Sequence, residues 1–253
     1  VERVIDRPEL LDGPLDDAAA LAGNLRDLRR VNRLLGGARL SRAAIAGLLA
    51  ARGIPDSTPI TLLDVGTGAA DIPVTLLADA HRHGRRVSIV GIDSRREVID
   101  AAVAERPGLR TAAGLRLQVA DGTALPYPDA AFDVSHASLV LHHASRDEAL
   151  ALLREMSRVA RLGVVVNDLA RGRIHWLGAW LAGHLLTRNR YTRHDAPLSV
   201  RRAYTRAEML ELLAAAGLSP VAEVGGFLGH RYAIATVPHR RRPAANPDAL
   251  AAS

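Results

Sequence analysis

The stretch Leu62-Leu63-Asp64-Val65-Gly66-Thr67-Gly68-Ala69-Ala70-Asp71 decides how the rest of the chain is read. A short apolar strand, Ile60–Val65, runs straight into a turn with two glycines. A helix then spans Asp71–His83, with Pro73 tolerated in its first turn and Gly84 just past its end. Such a junction aims backbone N–H groups at a ligand, and Gly66 and Gly68 leave room for close approach. A turn built over a pyrophosphate takes Gly or Ala at position 71. Here Asp71 and Asp64 would repel that group, whereas carboxylates suit a ligand with a cationic end, such as an ammonium together with a sulfonium.

Downstream, strands and helices alternate. Val87–Ile92 is a second strand ending at Asp93, a carboxylate able to accept from both hydroxyls of a ribose, and Ser94 caps a helix that Pro107 ends. Nicotinamide-binding sheets use the same device, so Asp93 alone does not choose the cofactor. Leu115–Val119 leads to Asp121-Gly122, where a carboxylate can accept from an adenine amino group. Phe132–Leu139 is the next strand. Ser145 and Glu148 form a capping box, with Leu150, Leu153 and Val159 inward, and Val164–Val166 reads as a strand buried on both faces. Thr205 and Glu208 cap a helix closed by Gly217, and strands near Val221–Val224 and Tyr232–Val237 follow. The alternation predicts an α/β fold with a parallel sheet covered on both faces. Asp64, the glycine pair, Asp93 and Asp121 then share the C-terminal edge, where open sheets bind ligands.

Upstream, Asp16 is expected to cap a helix with Leu21, Leu25, Leu28 and Leu35 on one stripe, stopped by Gly36-Gly37. Ser41 is expected to start a second, with Ile45, Leu48 and Leu49 inward. Residues 1–55 thus form a helical cap, 56–237 the main domain with an insertion at 170–204, and 238–253 a loose basic tail. The insertion carries Trp176, Trp180 and Tyr191, and its segment Ile174–Leu186 is apolar almost all round. That suits either a core helix or a lid whose aromatic face meets an apolar ligand, and the lid is the favoured reading.

The chain has 253 residues, is 48% apolar, lacks cysteine, and carries arginine at all 33 of its basic positions. Thiolate metal sites, disulfides, Schiff-base lysines and the lysine-ended phosphate loop are excluded. A net charge of +6 raises nucleic acid or an anionic membrane as partners. The arginines are nevertheless interspersed with 27 carboxylates, and the dense run Arg240-Arg241-Arg242 sits in the tail, so a solvated surface is expected and nucleic acid is not. No apolar run reaches the ~20 residues of a membrane span, and the opening residues do not read as a signal peptide, which suggests a cytoplasmic protein without integral membrane association.

The pieces LLDVGTGAAD, GIDS, VADGTALPYPDAAFDVSHASLVLHH, LREMSRVARLG and YTRAEMLELLAAAGL resemble the class I S-adenosylmethionine-dependent methyltransferases over roughly residues 60–237. The likeness is greatest to the subgroup holding quinone-biosynthesis enzymes and small-molecule methyltransferases of secondary metabolism. The resemblance implies a doubly wound, Rossmann-like seven-stranded sheet with the last strand antiparallel, and S-adenosylmethionine, with its product S-adenosylhomocysteine, over the first two strands. It implies Asp64, Gly66, Thr67 and Gly68 by the methionine end, Asp93 and Ser94 by the ribose, Asp121 and Gly122 by the adenine, and Ser138 near the sulfonium. Arg161-Leu162-Gly163 departs from the family's usual Pro-Gly-Gly turn before the fifth strand.

A base would help activate an oxygen or carbon nucleophile. His142 and His143 follow the fourth strand and Asp168 the fifth, and these are the catalytic candidates. A structural, hydrogen-bonded role for His142 is the alternative, since a Leu-His-His run is common in the family. His136-Ala137-Ser138-Leu139 stands where DNA amino-methylating enzymes carry an Asn/Asp-Pro-Pro-aromatic motif. Asn167-Asp168 without an acidic partner near Ser135–Val140 offers too few oxygen ligands for a divalent ion, and none is expected. The expected activity is metal-independent methyl transfer to a small, largely apolar acceptor, a phenolic or related hydroxyl ahead of carbon, with Trp176, Trp180 and Tyr191 against it. Methylation of RNA or protein, and a non-catalytic cofactor-binding module, are the alternatives.

Overall fold

The computed structural model describes residues 2–239. The main elements in chain order are α1 (Ala18–Leu34), α2 (Gly37–Ala51), β1 (Ile60–Val65), α3 (Asp71–Arg82), β2 (Val87–Asp93), α4 (Arg96–Glu105), β3 (Leu115–Val119), β4 (Phe132–Ser138), α5 (Arg146–Val159), β5 (Ala160–Leu169), α6 (Arg173–Leu185), α7 (Arg190–Arg202), α8 (Arg206–Ala215), β6 (Leu218–Gly225) and β7 (Arg231–Pro238). The strands form one sheet in the order β3-β2-β1-β4-β5-β7-β6. Pairing is parallel from β3 across to β5, and β7 runs antiparallel to both β5 and β6, as expected.

The two-residue period of the strands divides the core into two layers. Leu63 and Val65 of β1 pack with Leu152, Leu153 and Met156 of α5 and Leu212 of α8. Ile60 and Leu62 point the other way, against Leu40, Leu48 and Leu49 of α2 and Ile72 of α3. Val164 and Val166 serve the first layer and Val165 the second, which is why β5 reads as an unbroken apolar run. A third cluster joins Leu21 and Leu25 of α1, Tyr191 of α7 and Val103 of α4 to Ala69 and Ala70 of the glycine turn. It anchors α1 and the insertion beside that turn.

Several boundaries differ from expectation for local reasons. Asp17, not Asp16, caps α1 by accepting from the Ala20 N–H at 2.8 Å, and Leu35 is 47% exposed past its end. Gly36, with φ +74°, is the N-cap of α2. The glycine pair thus redirects the chain, and Ser41, expected as a cap, is buried inside the helix. Ser94 does not cap α4, whose N-cap is Arg95; Asp93 Oδ1 already takes the Arg95 N–H at 3.0 Å. Arg161-Leu162-Gly163 is not a turn but part of β5, where the bare Cα of Gly163 lets the Thr236 carbonyl come close. The core-helix reading of Ile174–Leu186 fails outright, since only Gly183 of α6 is buried. The run Arg240–Arg242 lies outside the described residues.

Candidate functional site

Gly66 and Gly68 both take positive φ, +67° and +52°, which L side chains rarely adopt. A Cβ on Gly66 would strike the Val140 side chain, so the turn lies flush on the loop after β4. A Cβ on Gly68 would meet nothing within 4 Å, so the space beside it is open. Asp93 Oδ2 accepts from the Gly68 N–H at 3.1 Å, which ties the tip of β2 to the turn. The Thr67 N–H donates to the Ile92 carbonyl at 2.8 Å, while its buried hydroxyl has no partner among the described residues. Ser94 is exposed beside Asp93. Asp121 is also exposed, with Oδ1 accepting from the Thr123 N–H and hydroxyl, both at 2.8 Å. Next to it, Gly122 leaves room for the side chains of Leu152 and Val65.

The turn is electrostatically one-sided. Burial pushes the carboxyls of Asp71 and Asp93 above the ordinary aspartate range, and the charge of Asp64 adds to the shift of each. Neither Asp71 nor Asp93 has an ion-pair partner among the described residues. Three carboxylates around one open turn therefore favour a cation there.

A continuous buried polar chain starts and ends at this turn. Asp64 Oδ1 accepts from His136 Nδ1 at 2.6 Å, and His136 Nε2 lies 2.8 Å from Ser41 Oγ. Ser41 accepts from Asn167 Nδ2 at 2.7 Å, which leaves its own proton for His136 Nε2. Asn167 Oδ1 accepts from Arg231 Nε at 2.5 Å. The other two guanidinium nitrogens donate to Asn32 Oδ1 at 2.7 Å and Ser138 Oγ at 2.6 Å. Asn32 Nδ2 then reaches Asp71 Oδ2 at 3.0 Å and closes the circuit. Burial of Arg231 lowers its pKa to about 10, against the pull of Asp168 and Asp71. Ser138 was expected near the reacting centre. No motif in the sequence marks Asn32, Ser41, His136 or Arg231 as site residues, although a polar residue within each apolar stripe, Asn32 in α1 and His136 in β4, is a signal of its own.

Beside this circuit lies a second buried pair. His142 Nδ1 donates to Asp168 Oδ1 at 2.7 Å, and the His142 N–H reaches Oδ2 at 3.2 Å. Burial pushes Asp168 up, but His142, the Leu169 N–H and Arg231 outweigh it and hold its carboxyl below the usual range. The N-terminal segment crosses these residues. Glu9 Oε1 stands 3.9 Å from His142 Nε2, and Asp12 Oδ1 takes His143 Nδ1 at 2.9 Å. Burial alone would lower His143, yet Glu9 and Asp12 together raise it to about 9. Asp195 accepts the Leu10 and Leu11 N–H groups and Arg202 donates to the Arg7 carbonyl, so α7 holds the segment down. The ligand atoms of Glu9, His142 and His143 lie within 4.8 Å of one another, a spacing that would admit a metal ion.

Trp176 and Trp180 share a face as expected, lining an open groove of about 430 Å³ with Arg7, His194, Leu198 and Arg201. None of the groove's lining residues belongs to the glycine turn. Tyr191 does not reach any opening: it is 2% exposed, packed in the core under α1.

Residues 63–166 match the family model described as a methyltransferase domain. No curated protein matches the chain by sequence. Among solved structures, an S-adenosylmethionine-dependent methyltransferase from Aquifex aeolicus is 19% identical, with TM-score 0.57 over 85% of this chain and 97% of that one. Human N-acetylserotonin methyltransferase is 15% identical, with TM-score 0.60 over 90% of this chain and 61% of that one. Magnesium protoporphyrin IX methyltransferase from Synechocystis is 15% identical, with TM-score 0.54 over 80% and 83%. Residues 63–166 are thus similar to a methyltransferase domain, and the complete seven-stranded sheet has the fold of the class I S-adenosylmethionine-dependent methyltransferases.

Proposed function

We propose that the chain binds S-adenosylmethionine at the C-terminal edge of β1 and β2 and methylates a small, largely apolar acceptor of secondary metabolism, at a phenolic or related hydroxyl ahead of carbon, without a metal ion. The observation that carries this reading is the set of carboxylates at Asp64, Asp71 and Asp93 around the open turn at Gly68. A ligand with an ammonium and a sulfonium supplies the positive charge they lack, whereas a pyrophosphate would be repelled. Bound S-adenosylmethionine supplies an electrophilic methyl group. Asp93 then accepts from the ribose hydroxyls with the lone pairs its two backbone donors leave unused. His142, fixed by Asp168 through Nδ1, offers Nε2 to the acceptor's proton. The N-terminal segment and α1 keep water from the reacting groups. Asn167 and Asp168 are engaged by Ser41, Arg231 and His142, which leaves little oxygen for a divalent ion.

Calorimetry should show binding of S-adenosylmethionine and S-adenosylhomocysteine and none of NAD; tight NAD binding with neither of the others overturns the reading. Incubation with methyl-labelled cofactor and a host extract should place the label in the apolar small-molecule fraction, with excess chelator present. Label in RNA or protein would reassign the acceptor. Loss of turnover with chelator, restored by zinc, would give Glu9, His142 and His143 a metal and end the metal-independent reading.

A further inference from the structure

Much of the apolar surface of α6 is left uncovered by the described residues. Ile174 is 79% exposed, Leu177 49%, Leu181 40%, and Leu185 76%, with Leu186 beyond the helix end at 70%. At its N-terminal end, His175 Nε2 lies 3.1 Å from the Leu228 carbonyl, and Phe227 and Leu228 are each 75% exposed. The end of α1 adds Leu34 and Leu35, next to the Asn32 that bridges Arg231 and Asp71. At the other end of α6, Thr187 donates to Asp27 of α1 at 2.5 Å. Most of the large exposed apolar residues therefore lie on α6, at the end of α1 and in the β6–β7 loop. Scattered single leucines need no explanation, but a concentration of this size does.

Its charge pattern names the occupant. Residues 28–55, 169–194 and 224–239, from which these exposed apolar side chains come, hold no Asp or Glu. The same segments expose Arg33, Arg39, Arg173, Arg188 and Arg193, which form no ion pair among the described residues. A second copy of the chain would bring arginine against arginine. An anionic lipid surface complements both features: apolar side chains enter the acyl boundary and the guanidinium rim meets phosphate. At ~20 Å, α6 is too short to cross a bilayer of about 30 Å, and no single helix among the described residues is long and apolar enough to do so. Trp176 and Trp180, 36% and 40% exposed, are of the type that settles at the interface.

We propose that this face docks on an anionic phospholipid bilayer with α6 lying in the headgroup plane; on the methyltransferase reading above, the acceptor then comes from the lipid phase. Trp176 and Trp180 are the chain's only tryptophans, so their emission reports on α6 directly. Mixed phosphatidylglycerol–phosphatidylcholine vesicles should shift that emission to the blue and co-sediment the protein, and pure phosphatidylcholine should do neither. Arg188→Ala with Arg193→Ala should weaken binding by roughly 30-fold. Leu177→Glu with Leu181→Glu should abolish it without lowering the melting temperature. Equal binding to both vesicles, or no shift with either, overturns the proposal. So does a dimer in sedimentation velocity that Leu177→Glu dissociates, which would give the face to a second copy. Calorimetry with S-adenosylmethionine on the same variants separates the two readings: vesicle binding without cofactor binding sinks only the proposed function, and the converse sinks only the docking.

Discussion

Arg231 and Asp93 show how differently two residues of the candidate site can be encoded. Asp93 is legible because it sits at a strand tip a fixed distance beyond the glycine turn, where backbone geometry alone puts a carboxylate on the binding edge. Asp93→Ala should weaken S-adenosylmethionine binding by ~1–3 kcal/mol in calorimetry; unchanged affinity in a folded variant would remove it from the site. Arg231 is one of 33 arginines, and no local pattern marks it. Buried with three acceptors, it cannot be removed without leaving Asn167, Asn32 and Ser138 short of a donor. Arg231→Met should therefore cost ~3–5 kcal/mol, a fall in Tm of roughly 10 °C, and should weaken cofactor binding through the freed Asn32–Asp71 contact. A Tm within a degree or two of the parent would mean that the buried circuit carries no stability.

At the scale of elements, α6 is the informative case. A core helix would make Trp180→Ala cost ~3–5 kcal/mol. Trp180 is 40% exposed and stacks on His184 at 4.6 Å, so a loss of about 1 kcal/mol or less is expected, with cofactor affinity unchanged. If the helix also serves as a lid over the acceptor, the same variant raises the acceptor's KM. A melting curve and steady-state kinetics on this one protein measure both. The capping boxes of α5 and α8 were readable because each needs only residues three apart. The helix α7 is not legible in the sequence, because Pro197 falls inside it and its buried residues include Thr192, Asp195 and Arg202, which hide its apolar period.

At the scale of the whole molecule, His143 joins residues far apart in the chain, the N-terminal segment and the loop after β4. Its folded pKa, raised to about 9 by Glu9 and Asp12 against burial, lies above the ordinary histidine value of 6.5. The stabilisation is thus fully present below pH ~6.5 and is lost as pH rises through about 9. Allowing for solvent screening, about 2 kcal/mol is at stake, or ~4–8 °C in Tm. Thermal scans across that window should show the fall, and His143→Gln should flatten it. A parent protein whose Tm holds level to alkaline pH would show that the cluster is not charged.

What the sequence alone determined was everything carried by short-range periodicity: the alternating strands and helices, the glycine turn, and the carboxylates at the tips of β1, β2 and β3. These follow from contacts within a few residues, where strand period, helix caps and φ preferences leave little choice. The tertiary structure alone decided which polar residues meet. Asn32, Ser41, His136, Asn167 and Arg231 come from five separate elements, and the insertion of β7 between β5 and β6 sets Arg231 beside Asn167 and within reach of α1. It also decided the exposure of α6. A helix apolar on every side has no period to reveal a buried face, so the same residues read alike in a core or on an open surface, and only the packing around them distinguishes the two.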